Sequence, residues 1–164
     1  MVQEKSGFFG DGKSGQLFYR QWDTPDAAIP LIIVHGAGGG HSGHYAETAH
    51  RLAQEGYAVY AFDLPGYGRS EGRRGHIDRF EDYVKALDTF VHLVTQRHPD
   101  HKPFLLGHSF GGLICTFYAE RFPQTIQGLM LSSPLWGLTF PVPRWARWLA
   151  FRLTNIWPSF TVRD

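Results

Sequence analysis

Cysteine occurs once in this 164-residue chain, at Cys115, so no intramolecular disulfide can form and the small disulfide-stapled secreted scaffolds are excluded. A reducing compartment is the default. No stretch of about 18 apolar residues is found, so no membrane-spanning helix is expected. The polar start from Met1 to Gly7 also lacks the apolar core of an export signal. Charge of one sign is equally scarce. Sixteen Lys and Arg stand against fifteen Asp and Glu, a formal charge of +1, too little for the broad basic field by which proteins hold nucleic acid. What is present is 43% apolar and 15% aromatic residues, enough for one compact domain to bury a core. A cytoplasmic protein with no nucleic-acid partner is expected.

Nineteen glycines and ten prolines fall between apolar runs rather than in one block, and neither a linker nor a repeat interrupts the chain. Gly15 to Trp22 reads as a strand, and Asp11-Gly12 before it is a favoured hairpin turn, so a β-hairpin is expected at the N-terminus. Leu31 to Val34 is a continuous β-branched and aliphatic run, the pattern of a strand covered on both faces. Tyr45 to Glu55 is expected to be helical, with Ser42 near its start and Gly56 at its stop, and Tyr57 to Phe62 returns as a strand. Phe80, Val84, Leu87, Val91 and Val94 recur at helical spacing, with Asp78 as the expected N-cap and His98-Pro99 as the end. Phe104 to Leu106 is a third buried strand, Gly111 to Arg121 a helix stopped near Pro123, and Ile126 to Leu131 a fourth strand. Alternation of strand and helix predicts an α/β fold, a mostly parallel sheet with helices on both faces, preceded by the hairpin.

The chemistry concentrates between the third strand and its helix, in Gly107-His108-Ser109-Phe110-Gly111 followed by Gly112. This is a G-x-S-x-G nucleophile elbow. A nucleophilic serine there projects from a sharp strand-to-helix turn, and glycines two before and two after it, Gly107 and Gly111, remove side chains that would collide. Ser109 also falls at a helix N-terminus, whose free N–H groups favour developing negative charge. Acyl transfer needs N–H donors for the tetrahedral oxyanion as well, and His35-Gly36-Ala37-Gly38 closes the neighbouring strand where such a loop belongs. The backbone N–H groups of Ala37 and Phe110 are the expected donors.

Taken in order, His35 to Gly38, His41-Ser42-Gly43-His44-Tyr45, Asp63-Leu64-Pro65-Gly66-Tyr67-Gly68-Arg69-Ser70-Glu71-Gly72, Gly107 to Gly112 and Leu131-Ser132-Ser133-Pro134 resemble the monoacylglycerol lipase and lysophospholipase branch of the α/β-hydrolases. The resemblance covers roughly residues 15 to 140. It implies an α/β-hydrolase fold, a serine ester hydrolase acting on monoacylglycerol or lysophospholipid-like lipids, Ser109 as nucleophile, Ala37 and Phe110 as oxyanion donors, and no cofactor or metal. Relatives often carry Arg-Gly-His-Gly where this chain has Pro65-Gly66-Tyr67-Gly68, a change that does not touch the nucleophile. They also place the triad acid and histidine after later strands. All nine histidines here precede Ile126, and the only acid beyond it is Asp164. His108 points away from the attacking site in that resemblance and is not assigned as base. The chain therefore reads as the N-terminal half of a hydrolase, lacking the C-terminal strands and associating with a complementary half or with itself. Residues 1–139 form the core part and 140–164 the start of a cap.

From Phe140 the character changes. Trp145, Leu149, Leu153 and Ile156 follow helical spacing while Arg144 and Arg147 fall to another side, which fits a basic amphipathic helix. One reading makes residues 140–157 a membrane-facing cap over a lipid ester; the other makes them an ordinary helix packed on the sheet, or one exposed because its covering half is missing. Two nucleotide motifs occur by letter only. Gly7 to Ser14 spells a P-loop without the buried strand before it or the helix after it, and Gly38, Gly40 and Gly43 spell G-x-G-x-x-G with Asp63 beyond, too far past their strand. The groupings His41, His44, His50 and His98, His101 lack a convincing set of metal ligands. Dehalogenases and epoxide hydrolases of this fold carry aspartate at the elbow, so Ser109 argues against both. Peptidases, thioesterases and carbon–carbon bond hydrolases keep the serine, and a non-catalytic ligand-binding or interaction module on the same scaffold is the reading from another class.

Overall fold

The computed structural model describes residues 1–10, 15–137 and 143–156. Six strands form one sheet: β1 (Gln3–Phe9), β2 (Leu17–Asp23), β3 (Ile29–Val34), β4 (Tyr57–Phe62), β5 (Phe104–His108) and β6 (Gly128–Ser132), in the spatial order β1-β2-β4-β3-β5-β6. β1 pairs antiparallel with β2, and β2 antiparallel with β4, whereas β4, β3, β5 and β6 are all parallel. The expected α/β arrangement, a mostly parallel sheet preceded by a hairpin, is therefore observed. The hairpin's predicted turn at Asp11-Gly12 lies outside the described residues. Its first arm was not legible because β1 is a mostly exposed edge strand with a polar sequence, and only Phe9 is buried.

Helices cover both faces. On one side α2 (Phe80–Arg97) and α3 (Phe110–Arg121) pack Leu87, Phe90, Val91, Ile114 and Tyr118 against Ile32, Val34 and Phe62. On the other, α1 (Ala46–Gln54) lays Ala49 and Ala53 on Leu31, Ile33, Val59 and Ala61. Alternate residues of β3 thus enter different cores, which is why that strand is an unbroken apolar run.

Several boundaries shift by one or two residues from expectation, and three of the shifts have an identifiable physical reason. α2 begins after Arg79, whose side chain makes no capping bond, rather than after Asp78. Asp78 instead meets His76 Nε2 at 3.1 Å, and the start is fixed by Phe80 packing edge-on against Phe110 and Phe117. The segment before α1 is a 3-10 turn, Ser42–Tyr45, so the α-helix proper starts one residue later than expected. Ser42 is held by its backbone, and its buried hydroxyl has no partner among the described residues. β6 starts at Gly128, where pairing with Phe104 of β5 begins; Ile126 is already extended after the 3-10 segment at Pro123–Thr125 but lies outside that pairing. Helix α4 (Arg144–Ile156) is present where the amphipathic pattern placed it.

Candidate active site

Ser109 joins β5 to α3 with φ 52° and ψ −119°, one of two non-glycine residues with positive φ among those described. Such a backbone costs on the order of 1–3 kcal/mol and persists only when its surroundings hold it. They do so from both sides. The Ser109 N–H donates to the Ser132 carbonyl at 3.0 Å, and its own carbonyl accepts from Gly112 and Leu135, each at 3.0 Å. Ser109 occupies the N-cap position of α3, where a serine hydroxyl ordinarily bonds a first-turn amide. Here it makes no capping bond, so Oγ is left for other chemistry.

The glycines are required by close approach. A Cβ on Gly107 would lie 2.6 Å from the Gly112 Cα, and one on Gly111 would overlap the carbonyl oxygens of Val34 and His35. The elbow is thereby pressed onto the end of β3. Gly36, two residues past that strand, comes against the serine itself, since a Cβ there would lie 3.0 Å from Ser109 Cβ and 3.5 Å from Oγ. Ala37 follows Gly36 and is exposed. Phe110 opens α3, and its N–H, being in the first turn, has no acceptor within the helix. The fold therefore brings Ala37, Ser109 and Phe110 to one end of the parallel strands.

The loop carrying Ala37 is set by a buried imidazole whose role the sequence did not disclose. The Leu64 N–H donates to His35 Nε2 at 2.9 Å, which leaves Nδ1 protonated to donate to the Gly36 carbonyl at 2.7 Å. Burial pushes the His35 pKa down, against the opposing pull of the Gly36 carbonyl and Asp63, so the ring stays neutral with its tautomer fixed. Asp63 is equally committed. Its buried carboxylate accepts the N–H groups of Ser42 and Arg69, each at 2.7 Å, and Ser70 Oγ links its carbonyl to the Phe18 amide. Asp63 is buried with an amide on each carboxylate oxygen and presents no acceptor to a ribose, which argues against the dinucleotide reading. The P-loop reading fails as well, because Gly7 lies inside β1 paired with Tyr19 and the next element is a strand.

No described side chain hydrogen-bonds Ser109 Oγ. His108 is turned to Tyr45, its Nδ1 2.8 Å from the phenolic oxygen, and His98 meets Tyr60 at 2.8 Å. Among the described residues no three His, Cys, Asp or Glu side chains group as a metal site. A cavity of about 760 Å³ lies between the hairpin end at Phe9 and Leu17, the Pro65–Ile77 loop and α2; it is lined by none of Ala37, Ser109 or Phe110. Leu135, whose amide bonds the Ser109 carbonyl, and the following Trp136 have exposed side chains. In α4, Trp145, Trp148 and Leu149 are exposed and Arg152 stacks on Trp148 at 5.3 Å; the predicted contributions of Leu153 and Ile156 lie outside the described side chains.

Comparison with known proteins gives the family. The family model described as Serine aminopeptidase, S33 (Hydrolase_4) matches residues 24–164. The chain belongs to this α/β-hydrolase family. It is 38% identical to the monoglyceride lipase of Mus musculus over 119 residues, covering 73% of this chain and 39% of that enzyme. It is 36% identical to lysophospholipase L2 of Escherichia coli over 104 residues, 60% of this chain and 31% of that protein. The crystal structure of Paleococcus ferrophilus monoacylglycerol lipase superposes with a TM-score of 0.73 at 35% identity, over 89% of this chain and 54% of that one. The chain thus spans about two-fifths of the mammalian enzyme's length.

Within this S33 α/β-hydrolase the expected elbow and loop fall together. The sequence missed what positions them: the His35 tautomer, the Asp63–Ser70 staple and the Tyr45–His108 pair. Each depends on a bond to a distant part of the chain, Leu64 to His35, Phe18 to Ser70 and Tyr45 to His108, and leaves no local pattern. The one available signal was composition, since His, Asp and Tyr inside strand-end loops are polar residues that the fold must satisfy.

Proposed function

We propose that this chain carries the nucleophile and oxyanion hole of a serine ester hydrolase acting on lipid esters of the monoacylglycerol or lysophospholipid type. The observation that carries the reading is the strained Ser109 backbone at the N-terminus of α3, with Gly36 packed against its side chain. In the reaction, Ser109 Oγ attacks the ester carbonyl carbon while a base takes the hydroxyl proton. The N–H groups of Ala37 and Phe110 receive the negative oxygen of the tetrahedral intermediate. Its collapse expels the alcohol, protonated by the same base, and leaves an acyl-Ser109 ester that water then hydrolyses. Each oxyanion donor lowers the barrier by roughly 2.7 to 4 kcal/mol. The acid and histidine are assigned to sequence beyond these 164 residues, in a longer polypeptide or a complementary half that pairs along the β6 edge; no cofactor takes part.

The exposed Trp145, Trp148 and Leu149 among the arginines of α4 support a further part of the reading, a cap whose outer face touches a membrane surface. A cytoplasmic, membrane-peripheral location goes with it. Fluorophosphonate labelling, located by peptide mass spectrometry, tests the core claim. The polypeptide extended or complemented through the last strands is expected to form the adduct on Ser109 and to lose it in Ser109→Ala. A folded, complete protein that neither labels nor hydrolyses a simple ester would instead be a non-catalytic module on the same scaffold.

A further inference from the structure

Tyr45 and His108 stand 63 positions apart in the chain, yet the Tyr45 hydroxyl and His108 Nδ1 meet at 2.8 Å. Their rings pack edge-on with centroids 6.1 Å apart. Tyr45 ends the 3-10 turn that directly follows the Ala37 loop, and His108 directly precedes Ser109. Among the described side-chain hydrogen bonds this one alone joins residues 36–45 to residues 107–111. It therefore closes a ring of chain with Ala37 on one arm and Phe110 on the other.

Two further observations place the hydroxyl at the joint. Burial pushes the Tyr45 phenol up while the Gly36 backbone pulls the other way, so the hydroxyl stays protonated beside the residue that touches Ser109. The Gly36 carbonyl is held separately by His35 Nδ1, which orients the loop but makes no bond to the elbow.

We propose that Tyr45 is a positioning residue: its hydroxyl, through His108, fixes the separation of the Ala37 and Phe110 amides that would receive the oxyanion. The inference rests on the proposed hydrolase function for its purpose, though not for its geometry. A hydrogen bond between two half-buried side chains is the right size of device, because a small displacement of a donor from the developing charge is costly in rate while leaving substrate binding intact.

Tyr45→Phe keeps the ring and its edge contact and removes only the bond. Amide hydrogen exchange on the 164-residue chain needs no catalysis. It is expected to quicken about fivefold over residues 36–41 and 107–111, with exchange elsewhere unchanged. Unchanged exchange in both segments would overturn the clamp. In the extended or complemented polypeptide that labels at Ser109, the same variant is expected to lower kcat about tenfold with KM for a short ester within about twofold. His108→Ala and the double variant should show the same loss rather than a larger one. Faster exchange with an unchanged kcat, or additive losses, would reject the positioning role. If the unmodified protein never labels, the hydrolase reading falls, and the exchange measurement still decides whether Tyr45 holds the loop.

Discussion

The Ser109 amide donates to the Ser132 carbonyl at 3.0 Å, tying the positive-φ turn after β5 to the last residue of β6. The turn is thus imposed on a residue that does not prefer it. Ser109→Gly removes the side-chain clash at φ 52° and costs some entropy in the unfolded chain, leaving a net gain of about 1 kcal/mol. Thermal melts should show a rise of about 2–4 °C in this size of domain, while labelling disappears. A fall in Tm would mean that the backbone there is not strained.

A glycine in the first turn of α3 and one in the loop after β3 should respond very differently to alanine. At Gly111 the new methyl would overlap the Val34 and His35 carbonyls, both backbone, so urea unfolding is expected to show a loss of about 3 kcal/mol or more, or no folding. At Gly38 the Cβ enters open space and only the φ of 72° is penalised, about 1–2 kcal/mol. Similar losses at both would contradict the close approach of α3 to β3.

Asp63→Ala strips two backbone amides, the buried one of Ser42 and the part-buried one of Arg69, of their acceptor. An unpaired buried donor costs about 1–3 kcal/mol, so denaturant unfolding should register a loss of about 3 kcal/mol. Asp63→Asn, which can still accept one of the two bonds, is expected to fall between. An unaffected Asp63→Ala would remove the carboxylate from the structural role given to it.

His35 and His98 both have pKa values lowered by burial, so each is neutral in the fold at pH values where the unfolded chain has begun to bind protons. A lowered imidazole pKa contributes stability that is complete above the unfolded value near 6.5 and is lost as pH falls below it. Melts from pH 7.5 to 5 should therefore decline beginning near 6.5. His35→Gln, which cannot be protonated, should flatten that slope while lowering stability throughout.

β6 is the last strand of the sheet order and is only partly buried, with Met130 exposed on it and Phe117 exposed on the neighbouring α3. An unpaired parallel edge beside apolar surface invites association. The isolated 164-residue chain should elute above its monomer mass in size-exclusion chromatography. A single monomeric peak with a cooperative melt would show that the edge is protected by other means.

Much of this was legible in the amino-acid order because the signals are local. Leu31 to Val34 reads as a doubly covered strand since each neighbour enters a different core, and Gly107 to Gly112 reads as an elbow since steric exclusion dictates glycine at fixed offsets. The polar β1 escaped for the opposite reason: an edge strand exposed on most of its length has no periodicity to display. Asp78 was read as a cap on residue type, whereas the helix start is decided by where Phe80 finds Phe110. The hydrogen bonds that orient His35 and Tyr45 depend on which loops the finished sheet brings together, and no window of sequence contains both ends.

Because Ser132 and Leu135 hold the Ser109 backbone from both sides, the turn cannot be completed until both have been synthesised. A nascent chain that has exposed only as far as Arg121 already contains the whole Gly-His-Ser-Phe-Gly segment but neither of those partners. The serine acquires its geometry only after the following strand leaves the ribosome.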